Sequence, residues 1–183
     1  MIPVGYLYKK VGLRPDWIKA EGVRDIYSLS GCVSDDFTDY VNYWKHNGYW
    51  LFDTPAIMQA IAAEAHIDLM GMKLFYYETY EEEYDEEGEV WLPFEPESSF
   101  LTNVERPVAA HLEGFDVVTF SVHTSPECSP LSCCNLAGEL AANSHCLFDT
   151  FEQAKQALET GKFNDTEPGP FRIFAVYSVE GTD

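Results

Sequence analysis

Hydrophobic and polar positions along this chain alternate between two periods. Residues 4–11 and 24–30 (RDIYSLS) read as short strands. Ser34 is placed to cap a helix whose first turn holds Asp35 and Asp36, and Phe37, Tyr40, Val41 and Trp44 then follow at helical spacing. Asn47-Gly48 ends that helix, and residues 49–52 (YWLF) read as a short buried strand. Thr54 and Pro55 open a second helix with Ile57, Met58, Ile61, Ala62 and Ala65 on its apolar face. Residues 73–84 form a long aromatic strand, and residues 89–94 return antiparallel around Glu86-Glu87-Gly88.

The second half repeats the order. Residues 116–122 (DVVTFSV) are a strand, and a short helix carries Leu136 and Leu140. Residues 145–148 are a short strand, and Thr150 with Gln153 forms a capping box ahead of Phe151, Ala154, Ala157 and Leu158. Gly161 stops the helix, NDTEPGP (164–170) is turn chemistry, and residues 171–179 close the chain as a strand. NGYWLFDT (47–54) and NSHCLFDT (143–150) stand 96 residues apart, and the same offset sets Cys32 on Cys128 and residues 22–29 near residues 117–124. The pattern predicts an α+β fold. Two diverged β-α-β-α-β pseudo-repeats pack as one compact unit, residues 1–97 and 98–183, with an acidic β-hairpin in the first.

Charge changes the picture in one place. Acids outnumber bases 31 to 11, a net charge of −20, which opposes phosphate backbones and anionic membranes. Ten of the acids fall between Glu78 and Glu97, where no Lys or Arg occurs, interleaved with tyrosines and Trp91. Tyr80, Glu82, Glu83, Tyr84, Glu86, Glu87 and Trp91 are therefore candidate binding residues for a basic partner protein. A solvated, aggregation-resistant hairpin is the plainer alternative.

The cysteines supply the remaining chemistry. Cys128, Cys133, Cys134, His145 and Cys146 lie close enough in sequence to be weighed as metal ligands. Their spacing departs from the common zinc patterns, and several align with aromatic core positions of the first half, so no metal or other cofactor is expected. Cys32 and Cys128 each precede an expected helix start, where a thiol pKa falls, and His123, His46 or His145 could serve as base. Asp53 and Asp149, ahead of their helix caps, read as structural.

With no phosphate loop, serine elbow or HExxH, the leading expectation is a non-catalytic interaction or inhibitor-like module presenting its acidic aromatic hairpin. The alternative is a small-molecule-binding or thiol-dependent enzyme with its site between the repeats, using Cys32, Cys128 and His123. Five cysteines without a disulfide framework, and no apolar leader or spanning run, suggest a cytoplasmic protein with reduced thiols, no nucleic acid and no membrane.

Overall fold

A computed structural model describes residues 1–37, 46–94, 103–120 and 126–180. Its strands are β1 (Ile2–Lys9), β2 (Gly12–Leu13), β3 (Asp25–Ile26), β4 (Lys73–Thr79), β5 (Glu82–Asp85), β6 (Val90–Pro93), β7 (Ala110–Thr119) and β8 (Phe171–Val179). Its helices are α1 (Pro55–Ala65), α2 (Pro130–Cys133) and α3 (Phe151–Glu159), with a 3₁₀ turn at Leu136–Gly138. The architecture is α+β. Among the described residues no helix is long and apolar enough to cross a membrane.

One antiparallel sheet joins both halves of the chain. β8 pairs with β4 and then β5 along one edge and with β7 along the other, while β1 flanks β4 and β6 flanks β5. The registers of the two outer pairs coincide. Gly5 faces Tyr77 and Lys9 faces Lys73 in β1–β4; Gly114 faces Val176 and Val118 faces Arg172 in β7–β8. Both glycines sit at register shifts with φ near +145°, and a Cβ on either would lie 2.6 Å from its neighbours. Only glycine accepts that combination of left-handed backbone and close approach.

The neighbour in each case is a loop built on an asparagine. Asn47 Nδ2 donates to the Val4 carbonyl, and its Oδ1 accepts the Tyr49 and Leu51 N–H groups. Asn143 does the same with Glu113, His145 and Leu147. A positive φ at Trp50 (57°) and at Cys146 (62°) turns the chain, and the loops then touch the sheet through Tyr6–Phe52 and Phe115–Phe148. The segments YWLF and HCLF are therefore loops rather than the expected short strands. Their apolar run matches a short buried strand, but the asparagine side chain takes the backbone bonds that a strand partner would make.

Other expected elements shift. Residues 24–30 shrink to the two-residue β3, paired with β2. The long strand over 73–84 breaks after Tyr80, whose N–H still bonds Ile173 of β8, and pairing with β8 resumes in β5 at Tyr84–Phe171 with the register shifted. β7 starts at Ala110, earlier than expected at 116. Most of the expected helix over 35–44 lies outside the described residues. The two main helices form as expected: Pro55 opens α1, and Thr150 and Gln153 make the reciprocal capping box of α3. α1 packs on β1, and α3 on β7 and β8.

Strand alternation puts Lys73, Phe75, Tyr77 and Thr79 on the same sheet face as Arg172, Phe174, Val176 and Ser178. Two apolar clusters fill the space beside the sheet. One joins Tyr27, Leu29, Phe37, Tyr49 and Leu51 to β1 and β4, and the other joins Leu131, Cys146, Phe148 and α3 to β7 and β8.

Candidate functional site: a cysteine cluster where the halves meet

Two buried ionisable side chains from different strands hold one loop. Lys9, at the end of β1, is 1 % exposed, and its Nζ donates to the carbonyls of Ser28, Leu29 and Ser30 at 2.7, 2.8 and 3.0 Å. Asp116, on β7, is fully buried; its Oδ2 accepts the Leu29 N–H and the Ser129 hydroxyl, both at 2.7 Å. The Ser129 oxygen in turn accepts the Ser30 N–H. Burying a charge is costly unless it is well bonded, and here the bonds are spent on fixing three consecutive peptide groups. Burial pushes the Asp116 carboxyl up to about 7, against the pull of Ser129, Leu29 and Lys9.

That loop leads directly into Cys32, which is exposed. This residue lies beside Cys128 and Cys133 of the C-terminal half, near enough for both to bear on its ionisation. Cys128 Sγ lies 3.9 Å from Cys134 Sγ, and Cys133 Sγ lies 3.5 Å from the Ser30 hydroxyl. Four cysteines thus form a cluster with exposed members at Cys32 and Cys134 and a buried one at Cys128. Hydrogen bonding from the Cys128 and Cys133 thiols pulls the Cys32 thiol down to about 3, outweighing its partial burial. When protonated, Cys32 donates instead to the Glu127 carbonyl at 3.1 Å. The same hydrogen bonds, with Cys133 first, and burial drive the Cys128 thiol upward, so that it keeps its proton. The sequence suggested a helix N-terminus as the cause of a depressed pKa; in the structure the cause beside Cys32 is neighbouring thiols.

The remaining sequence candidates are dispersed. Cys146 is buried in the second apolar cluster, where desolvation pushes its thiol up to about 12. His145 stacks on Tyr27, its Nδ1 lies 2.5 Å from Asp25, and its Nε2 lies 3.6 Å from Glu113. Ser178 also donates to Glu113, and Lys73 Nζ donates to Tyr27. This polar group joins β4, β7, β8 and two loops, and no sequence spacing announces it. Among the described residues no three His, Cys, Asp or Glu side chains are arranged to hold a metal ion. His123 lies outside the described residues.

Much of the acidic hairpin is engaged within the chain. Tyr84 is buried, and Trp91 packs on Tyr80 and Tyr84 while its indole N–H donates to Glu159. Glu83 pairs at 3.0 Å with Arg172, a fully buried guanidinium 3.4 Å from the Phe94 ring centre. Glu82 accepts the Tyr80 hydroxyl, Glu86 accepts the Gly169 N–H, and Glu87 is exposed. A cleft of about 460 Å³ beside α3, lined by Leu140, Phe148, Gln153, Gln156 and Lys162, contains none of these candidates. No protein-family model, curated protein or solved structure matches this chain.

Proposed function

We propose that the chain is a thiol-dependent protein whose reactive group is Cys32, seated between two related halves. The observation that supports this reading is the exposed Cys32 thiol, beside two thiols of the opposite half at the end of a loop pinned by buried Lys9 and Asp116. An exposed thiol with donors beside it and a fixed backbone has the character of a nucleophile. A cysteine kept for packing needs none of these. The reading also takes residues 1–97 and 98–183 as pseudo-repeats, supported by the coincident strand registers and by the matched Asn47 and Asn143 loops. It departs from the sequence pairing of residues 22–29 with 117–124, because the matched registers set β1 on β7. Cytoplasmic location suits a site that needs free thiols.

The test is alkylation with iodoacetamide between pH 5 and 8, with labelled sites located by mass spectrometry. Cys32 is expected to label first and to keep its rate at pH 5, where an ordinary thiol is almost entirely protonated. If Cys32 labels no faster than the exposed Cys134 at pH 5, the reading is wrong.

A second reading keeps the hairpin as a docking surface for a basic protein. It is supported by β6, an outer strand where Val90 and Leu92 are 42 % and 43 % exposed beside the exposed Glu87 and Glu89. Reversing Glu87 and Glu89 to Lys should abolish a salt-sensitive pull-down of any such partner; capture unchanged by the double variant would remove it.

A further inference from the structure

We propose that the cleft beside α3 is a binding site for a small monocarboxylate with an apolar body. The cleft encloses about 460 Å³, within the range of roughly 300–1,000 Å³ that holds small molecules. Leu140, Phe148 and Ala157 form its apolar floor, and Gln153, Gln156 and Lys162 stand around them. Cys32 has no part in it, so the two sites stand or fall separately.

The helix sorts its side chains by face. Gln153, Gln156 and Ala157 fall at i, i+3 and i+4 and share one face of α3. Its charged pair lies on the hairpin side, where Lys155 meets Glu159 and Glu159 accepts the Trp91 indole N–H. Ala154 and Leu158 are buried in the core. Acids outnumber bases 31 to 11 in the chain, yet among the described residues no Asp or Glu lines this cleft. An acidic molecule that leaves one slot without carboxylates lowers the repulsion that an anion meets there.

The polar groups of the cleft are suited to donate. Gln153 commits its Oε1 to the Thr150 N–H in the capping box, which leaves its Nε2 to donate. Lys162 is exposed and supplies one ammonium. Lys73, Lys155, Arg106 and Arg172 each pair with a glutamate, whereas among the described residues no carboxylate pairs with Lys162. One ammonium matches one negative charge, and a dianion would carry a second charge unmatched in a molecule of net charge −20. The floor offers no hydrogen bonds, so the rest of the ligand is hydrocarbon or aromatic.

The two halves differ at this place. At the 96-residue offset Gln153 and Ala157 stand where α1 has Ile57 and Ile61, which pack against the first apolar cluster. Side chains that close the core beside α1 are thus replaced on α3 by a donor and a methyl group.

The experiment titrates the full chain with octanoate and with 1-octanol, which has the same chain length and no charge, and reads binding by ligand-observed NMR and by thermal unfolding. Octanoate is expected to saturate a single site and raise Tm. The 1-octanol affinity should be about fivefold weaker, the worth of one exposed ion pair. Lys162→Met should weaken octanoate by about the same factor and leave 1-octanol unchanged. Ala141→Trp, at an exposed position on the cleft wall, should fill the space and abolish both. Both substituted positions are exposed, so both variants should keep the wild-type circular dichroism spectrum. Octanoate binding that does not saturate, that 1-octanol equals, or that either variant leaves unmoved would overturn the site. None of these results bears on Cys32, whose labelling is measured without octanoate.

Discussion

Asp116 and Cys32 show how single residues acquire their chemistry from opposite environments. The Asp116 carboxyl is raised to about 7 by burial, so the fold favours its neutral form. Below pH 4 the carboxyl is protonated in folded and unfolded chains alike, and burial costs nothing extra. Between pH 4 and 7 the unfolded chain releases the proton first, so stability falls, by about 4 kcal/mol at most. Asp116→Asn keeps an acceptor for Leu29 and Ser129 and removes that titration. Its stability relative to wild type should improve steadily from pH 4 to 7 in urea unfolding; a flat difference would refute the assignment. Cys32 is the reverse case, an acid kept ionised by donors, and Cys32→Ser should remove the fastest-labelling site without loss of fold, as judged by circular dichroism.

The asparagine loops and the bulged strands form units at the scale of elements. Each loop depends on an asparagine side chain that makes three backbone bonds and on a glycine that lets the strand approach it. Asn143→Ala would leave a carbonyl and two N–H groups unpaired, at a cost of about 2–3 kcal/mol. Gly114→Ala would force a Cβ to 2.6 Å from the Phe148 carbonyl at φ +147°, with a loss of at least about 2 kcal/mol. Gly22→Ala, where a Cβ meets nothing within 4 Å, is the control and should be near neutral. Thermal unfolding of the three variants checks the order. At this scale the sequence was read well for α1 and α3, because a cap and an apolar stripe are local signals. It was read poorly for YWLF and HCLF, because an apolar run in a loop and one in a buried strand look alike until the hydrogen-bond partner is known.

Across the whole molecule the halves are joined by main-chain and charged contacts together. β4 pairs with β8, Glu83 neutralises the fully buried Arg172, and Asp116 holds the Leu29 loop. One cooperative unfolding transition is therefore expected, coincident by tryptophan fluorescence and circular dichroism. Two separated transitions would show that the halves are independent. Glu83→Ala should destabilise both together, by about 3–5 kcal/mol, since it strands a buried guanidinium.

The hydrophobic pattern by itself determined the α+β class and the two long helices, since these depend on spacing within one turn or one strand. Tertiary structure decided what the sequence left open. Cys32 and Cys128 stand 96 residues apart, and nothing local reveals that a folded sheet brings their thiols together. The same holds for Lys9 and Asp116, whose positions in alternating strands suggest only burial. Their roles come from the carbonyls and N–H groups that another segment offers once it is folded over them. A thiol's reactivity and a buried charge's purpose are properties of neighbours, and here those neighbours are set by the sheet that both halves share.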